Sequence, residues 1–61
     1  MYIIIKDGKR YSRICAQTAY ELLEKIGTDG AEITRKSGSR IRKVDSIVKT
    51  EDGHYITNYA A

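Results

Sequence analysis

Nine residues, Arg35 to Lys43, read RKSGSRIRK and hold five Arg or Lys and no acid. Cations packed this closely repel one another unless an anion sits among them. Arg also offers a planar fork of donors that matches phosphate oxygens in pairs. Gly38-Ser39 at the centre suits a type II′ hairpin turn, which favours Gly at its first central position. The stretch therefore reads as two basic strands joined at a tip, presenting Arg35, Lys36, Arg40, Arg42 and Lys43 to an anionic partner. A two-stranded ribbon of this kind can enter a DNA major groove. The plainer alternative is a solvated turn whose charges keep an edge strand from pairing with other chains.

A second set of residues points the same way. The chain has five Tyr and no Phe or Trp. With Ile3, Ile5 and Ile14 turned toward a helix, Tyr2, Tyr11 and Arg13 project from the opposite face together with Lys6 and Lys9. In the last strand Tyr55 and Tyr59 share a side, opposite Ile56. Nucleobases stack on aromatic rings at about 1–3 kcal/mol each, so Tyr11 and Arg13 are expected as secondary nucleic-acid contacts. Tyr also serves as a strand former over a small core, or as an interface residue. Ile4 and Val48, read on the same outer face, suggest a second subunit covering it.

Catalytic chemistry has little to stand on. His54 is alone, and Asp7 and Asp52 are turn formers. Asp45 lies beside Lys43 at an expected bend. A two-metal nuclease needs several convergent carboxylates, and the spacing supplies none. Glycine-rich phosphate loops are absent. The sequence thus names no catalytic residue, no metal-ligand set and no cofactor.

These residues must be positioned by a chain of 61 residues, read as one domain spanning 1–61. Chains near this length hide only about 60% of their unfolded surface. Cys15 is the single cysteine, which rules out an internal disulfide and fits a reducing, cytoplasmic setting. The four apolar residues before Lys6 are too few for a signal peptide or a membrane span, so no membrane association is expected. Eleven bases against eight acids give a net charge of +3. The acids fall mainly in the helix (Glu21, Glu24) and the turns (Asp7, Asp29, Glu51, Asp52), which leaves the bases concentrated elsewhere.

Tyr2–Ile5 is a run of strand formers. Asp7-Gly8 signals a two-residue type I′ turn, pairing Lys6 with Lys9, Ile4 with Tyr11 and Tyr2 with Arg13. Thr18 and Glu21 have capping-box spacing. Ala19, Leu22, Leu23 and Ile26 form one apolar stripe, and Gly27 suits a helix end. The spacing predicts a helix over about Thr18–Ile26, with room for a turn before it. Ala31–Lys36 reads as a strand, with Ile33 opposite Val44 and Arg35 opposite Arg42. Val44 and Ile47 are three apart, so a bulge near Asp45-Ser46 is needed to keep both on one face. A short helix over Arg40–Val48 is the competing reading. Asp52-Gly53 joins the last two strands.

The expected architecture is α+β, in the order β-β-α-β-β-β: a small antiparallel sheet of about five strands with one helix on one face. The expected core is Ile3, Ile5, Ile14, Leu22, Leu23, Ile26, Ile33, Val44, Ile47 and Ile56. One helix of about three turns looks too short to cover five strands, which adds to the case for a homodimer. The leading functional expectation is a small nucleic-acid-binding module using the Arg/Lys-rich hairpin. The alternative is a protein-interaction module: an inhibitor or adaptor of a nucleic-acid-handling enzyme, of the kind phages and mobile elements encode, its basic tip meeting an acidic protein surface. A metal-dependent nuclease ranks third.

Overall fold

The computed structural model describes residues 1–61. Strands β1 (Tyr2–Lys6) and β2 (Lys9–Arg13) precede helix α1 (Ala16–Ile26). Strands β3 (Glu32–Ser37), β4 (Arg40–Lys49) and β5 (Tyr55–Tyr59) follow it. They form one antiparallel sheet in the order β2-β1-β3-β4-β5. This is the expected α+β architecture. Since β2 and β3 both run antiparallel to β1, they are parallel to each other, and α1 is the crossover between them.

Each tight turn follows from its residues. Asp7 (φ 51°) and Gly8 (φ 77°) both adopt positive φ, as a type I′ turn requires. The turn sets Lys6 opposite Lys9, Ile4 opposite Tyr11 and Tyr2 opposite Arg13. At the β3–β4 tip Gly38 has positive φ and Ser39 does not, the II′ pattern, and Ile33 pairs with Val44 and Arg35 with Arg42. The third Asp-Gly is built differently. Only Gly53 is at positive φ; its N–H donates to the Thr50 carbonyl at 3.1 Å, and the Thr50 N–H donates to the His54 carbonyl at 2.7 Å. This is a three-residue loop closed by a left-handed glycine.

Residues 40–49 are strand throughout, so the short-helix alternative is wrong. The β4–β5 register shifts between Val44 and Ser46. That bulge lets Val44 and Ile47 both point inward, and both are buried.

Helix α1 starts earlier than the Thr18–Glu21 spacing predicts. Cys15 is its N-cap, with no side-chain capping bond, and Ala19 N–H donates to the Cys15 carbonyl at 3.1 Å. Thr18 lies within the first turn and donates its hydroxyl to that same carbonyl. At the other end Gly27 (φ 87°) donates its N–H to Leu23. Lys6 reaches from β1 to the Ile26 carbonyl, placing a cation at the negative end of the helix. The same reach draws Lys6 away from Lys9, its like-charged cross-strand neighbour. A Cβ on Gly27 would come within 2.8 Å of the Lys6 Nζ.

The core differs from the expected one on β1. It consists of Tyr2, Ile4, Ala19, Leu22, Leu23, Ile33, Val44 and Ile47. Tyr2 and Ile4 face the helix, so Ile3 and Ile5 lie on the opposite face. Ile3 is buried there between Ser12 and Thr34, its cross-strand neighbours, whereas Ile5 is 41% exposed. Ile14 and Ile56, also expected inside, are exposed, and Ile26 is half-buried. The placement of Ile4 beside Val48 on an outer face is thereby corrected: Ile4 is fully buried and only Val48 lies outside. Tyr2 can be buried because its hydroxyl has a partner, Thr57 Oγ1, at 2.7 Å. Tyr11 likewise packs against the core rather than projecting from an outer platform.

One short helix serves five strands because the sheet curls around it. Both edge strands, β2 and β5, approach α1, as do β1 and β4. The bulge in β4 adds to that curl. The opposite face of the sheet has no covering element.

The face assignment on β1 is directly testable. Truncating a fully buried Ile costs about 2–5 kcal/mol, against roughly 3–5 kcal/mol of total stability for a single small core. Ile4→Ala is therefore expected to unfold the chain at 25 °C. Ile5→Ala is expected to change stability by about 1 kcal/mol or less. Urea denaturation followed by circular dichroism checks both, and equal effects would contradict the assignment.

Candidate anion-binding site

Two positions outward from the buried row, the helix-facing side of the sheet becomes basic. Arg35 is two residues from Ile33 and Arg42 two from Val44, so the strand period of two puts both on the side of the core. The register sets them directly opposite each other, where like charges destabilise a sheet. Tyr59 relieves the conflict. It follows Val44 across the β4–β5 pair and lies between the two guanidiniums. Arg35 Nη1 donates to the Tyr59 hydroxyl at 2.6 Å. The Arg42 guanidinium sits 3.6 Å from the centre of the Tyr59 ring, on its electron-rich face. Arg35 is also 5.4 Å from the centre of the Tyr2 ring. Its pKa is raised, first by the hydrogen bond to Tyr59 and then by the fields of Tyr2 and Tyr59, so its charge is secure.

Arg40, opposite Ser37 at the start of β4, completes the arrangement. Arg35, Ser37, Arg40, Arg42 and Tyr59 enclose a surface cleft of about 170 Å³. No carboxylate lines it. The one carboxylate within 4 Å of a basic side chain lies elsewhere: Asp52, 3.6 Å from the His54 imidazole, both well exposed. Three guanidiniums thus converge with their charges uncompensated by the protein. Two of them are oriented by a rigid aromatic ring, which lowers the entropy lost on gripping a tetrahedral oxyanion.

Of the seven residues expected to form a binding surface, the structure brings together Arg35, Arg40 and Arg42. Lys36 and Lys43 alternate to the uncovered face, where Lys36 pairs with Ile41 and Lys43 with Thr34. Tyr11 and Arg13 are on β2, across the sheet from the cleft. Arg13 bonds the Ser12 carbonyl at 2.7 Å and borders a separate groove with Glu21 and Lys25. The basic hairpin is therefore split between two faces and is not a single ridge. Tyr59 is the residue that sequence reasoning missed. Its link to Arg42 depends on counting through the β4 bulge, and strand alternation alone shows only its common side with Tyr55.

Beside this cleft lies a second hollow of about 410 Å³, sharing Arg35 and Tyr59 with it and lined also by Tyr2, Tyr55, Thr57 and Ile14. The exposed thiol of Cys15 is on its rim. No three His, Cys, Asp or Glu side chains come close enough to hold a metal ion. No helix is long and apolar enough to cross a membrane. Asp45, at the bulge, borders a cavity of about 330 Å³ with Glu24 and Tyr20, and the Glu24 carboxylate beside Tyr20 raises the Tyr20 pKa. Comparison with protein-family models, curated proteins and solved structures finds no match to this chain.

The Cys15 thiol titrates below its ordinary value. The Thr18 hydroxyl, 3.4 Å from the sulfur, is the main cause, since it can turn its proton from the Cys15 carbonyl to the thiolate; the nearby backbone N–H groups of Thr18 and Gln17 act in the same direction, against burial and the Glu21 charge. Alkylation by iodoacetamide, which requires the thiolate, is expected to reach half its maximal rate at lower pH in the folded chain than in the urea-unfolded chain. Thr18→Val is expected to move that midpoint back up. Coincident midpoints in folded and unfolded protein would contradict the geometry at the helix start.

Proposed function

We propose that this chain binds nucleic acid, gripping the phosphate backbone with Arg35, Arg40 and Arg42. The observation that carries this reading is the convergence of three guanidiniums on one carboxylate-free cleft. Folded chains ordinarily place acids near such a cluster, because mutual repulsion destabilises them. Here two arginines are held in place by Tyr59 instead, and the vacant side of each fork opens to solvent. Lys36 and Lys43, on the other face, contribute long-range attraction and no direct grip.

Phosphate contacts release counterions, so affinity falls with salt in proportion to the number of contacts. Three contacts correspond to a slope of about −2 to −3 in a plot of log affinity against log salt. The double variant Arg40→Glu, Arg42→Glu is expected to abolish binding in a fluorescence-anisotropy titration at 50 mM salt, with an unchanged circular dichroism spectrum. Lys25→Glu, on the helix and outside the cleft, should weaken binding far less. Undiminished affinity in the arginine variant would overturn the assignment. Retention of a protein partner by wild-type chain after exhaustive nuclease treatment would favour the acidic-protein reading in its place.

We also propose that the chain works as a homodimer joined through the uncovered face of its sheet. Three apolar side chains stand out there, Ile41 (66% exposed), Ile56 (47%) and Val48, with Ile5 beyond them. The folded chain exposes 4498 Å², whereas a compact monomer of its mass exposes about 4,000 Å² by area–mass scaling. Burial of this face by a second copy would remove the excess. It leaves the arginine cleft free, because the cleft opens on the side of the helix. Light scattering coupled to size exclusion is expected to give twice the chain mass, reverting to one chain mass in Ile41→Lys with Ile56→Lys. A monomeric wild type at 100-fold above the concentration used for binding assays would refute the dimer.

A further inference from the structure

The two adjoining hollows differ in chemistry. The cleft of Arg35, Arg40 and Arg42 is cationic. The neighbouring cup, an open hollow of about 410 Å³, is lined by the half-buried rings of Tyr55 and Tyr59 and by Tyr2, which is only 3% exposed, with Ile14 at its rim. Ile14 is 83% exposed, an unusual position for a large apolar side chain with no partner. Arg35 and Tyr59 belong to both hollows and form the wall between them. Within the cup the hydroxyls of Tyr2 and Thr57 bond to each other at 2.7 Å. Only one of their two protons is used in that bond, so a donor and free lone pairs remain for the edge of a ligand.

We infer that the ligand is single-stranded nucleic acid, with one unpaired base seated in the tyrosine cup while its adjacent phosphate lies among the three arginines. This rests on the nucleic-acid reading above and narrows it. A base in a duplex is stacked on both faces and paired along its edge, so it cannot enter a cup of aromatic side chains. A base in a single strand can, and stacking on tyrosine is available to every base. The cup is of the size that ordinarily holds small organic ligands, and its polar floor suits a heterocycle better than an alkyl chain. Arg35, fixed by the Tyr59 hydroxyl, sets the spacing between base and phosphate.

The test uses the full chain and four fluorescein-labelled probes at one salt concentration: a single-stranded DNA 12-mer, its RNA counterpart, the DNA as a duplex, and an abasic 12-mer sugar-phosphate. Anisotropy titrations are expected to give at least about tenfold tighter binding to one or both base-bearing single strands than to the abasic strand or the duplex. Tyr55→Leu keeps apolar volume in the cup and removes a ring face. It is expected to reduce that preference to about threefold or less without changing abasic binding. Ile14→Ser, at a position too exposed to matter for folding, is expected to act in the same direction and guards against a folding defect in the first variant. Equal affinity for single-stranded, abasic and duplex probes, or tighter binding to the duplex, would overturn the base cup and leave the phosphate grip standing. Failure of all four probes to bind would overturn both.

Discussion

One row of side chains holds this sheet to its helix. Tyr11, Ile4, Ile33, Val44 and Tyr59 are successive cross-strand partners and span all five strands. Ile4, at the row's interior, is the only large side chain fully removed from solvent. Ala19, Leu22 and Leu23 close over it from the helix. Three of the chain's nine buried residues, Ile4, Ile33 and Val44, lie in that row, with Tyr11 and Tyr59 half-buried at its ends. The row also fixes parity. Side chains alternate along a strand, so once Ile33 and Val44 are committed inward, Arg35 and Arg42 follow them. The next row reads Arg13, Tyr2, Arg35, Arg42. The basic cleft is a by-product of the core's register, and a slip of one residue would send both arginines to the other face.

Tyrosine is what lets so small a core merge into a charged surface. Tyr2, Tyr11, Tyr55 and Tyr59 all lie on the helix side of the sheet, and Tyr20 on the helix meets Tyr55 edge to face at 5.4 Å. Each ring has an apolar body for the interior and a polar tip for the margin. Tyr2 passes its hydroxyl to Thr57, and Tyr59 passes its hydroxyl to Arg35. A Phe at either place would bury as well and leave those partners without an acceptor or donor. The absence of Phe and Trp from the chain is consistent with that double duty.

Local chemistry made much of this fold legible. Two glycine turns fixed the registers of two hairpins, the apolar stripe located the helix, and the three-residue gap between Val44 and Ile47 required the bulge. The facing of β1 was not legible. Tyr2 to Ile5 are all apolar or aromatic, so the strand carries no alternation of its own, and either parity satisfies its pattern. The choice is made by pairing with β3, a contact 29 residues away in sequence, which seats Ile4 rather than Ile3 beside Ile33. The candidate site was half legible for the same reason. The density of Arg and Lys was plain, but alternation divides it, and only the three arginines sharing the parity of Ile33 and Val44 meet. Tyr59 joins them through the bulged strand pair, which composition cannot reveal.

The β4 bulge has a consequence for how this chain can vary in length. Residues added in pairs at the Gly38 tip extend β3 and β4 in step, and everything toward the helix keeps its reading frame. A single residue lost at Asp45 would take out the bulge instead. Val44 and Ile47, then two apart, would still share the inner face by plain alternation, and the C-terminal hairpin would keep its facing while β4 lost the extra bend and twist that help it curl around the helix.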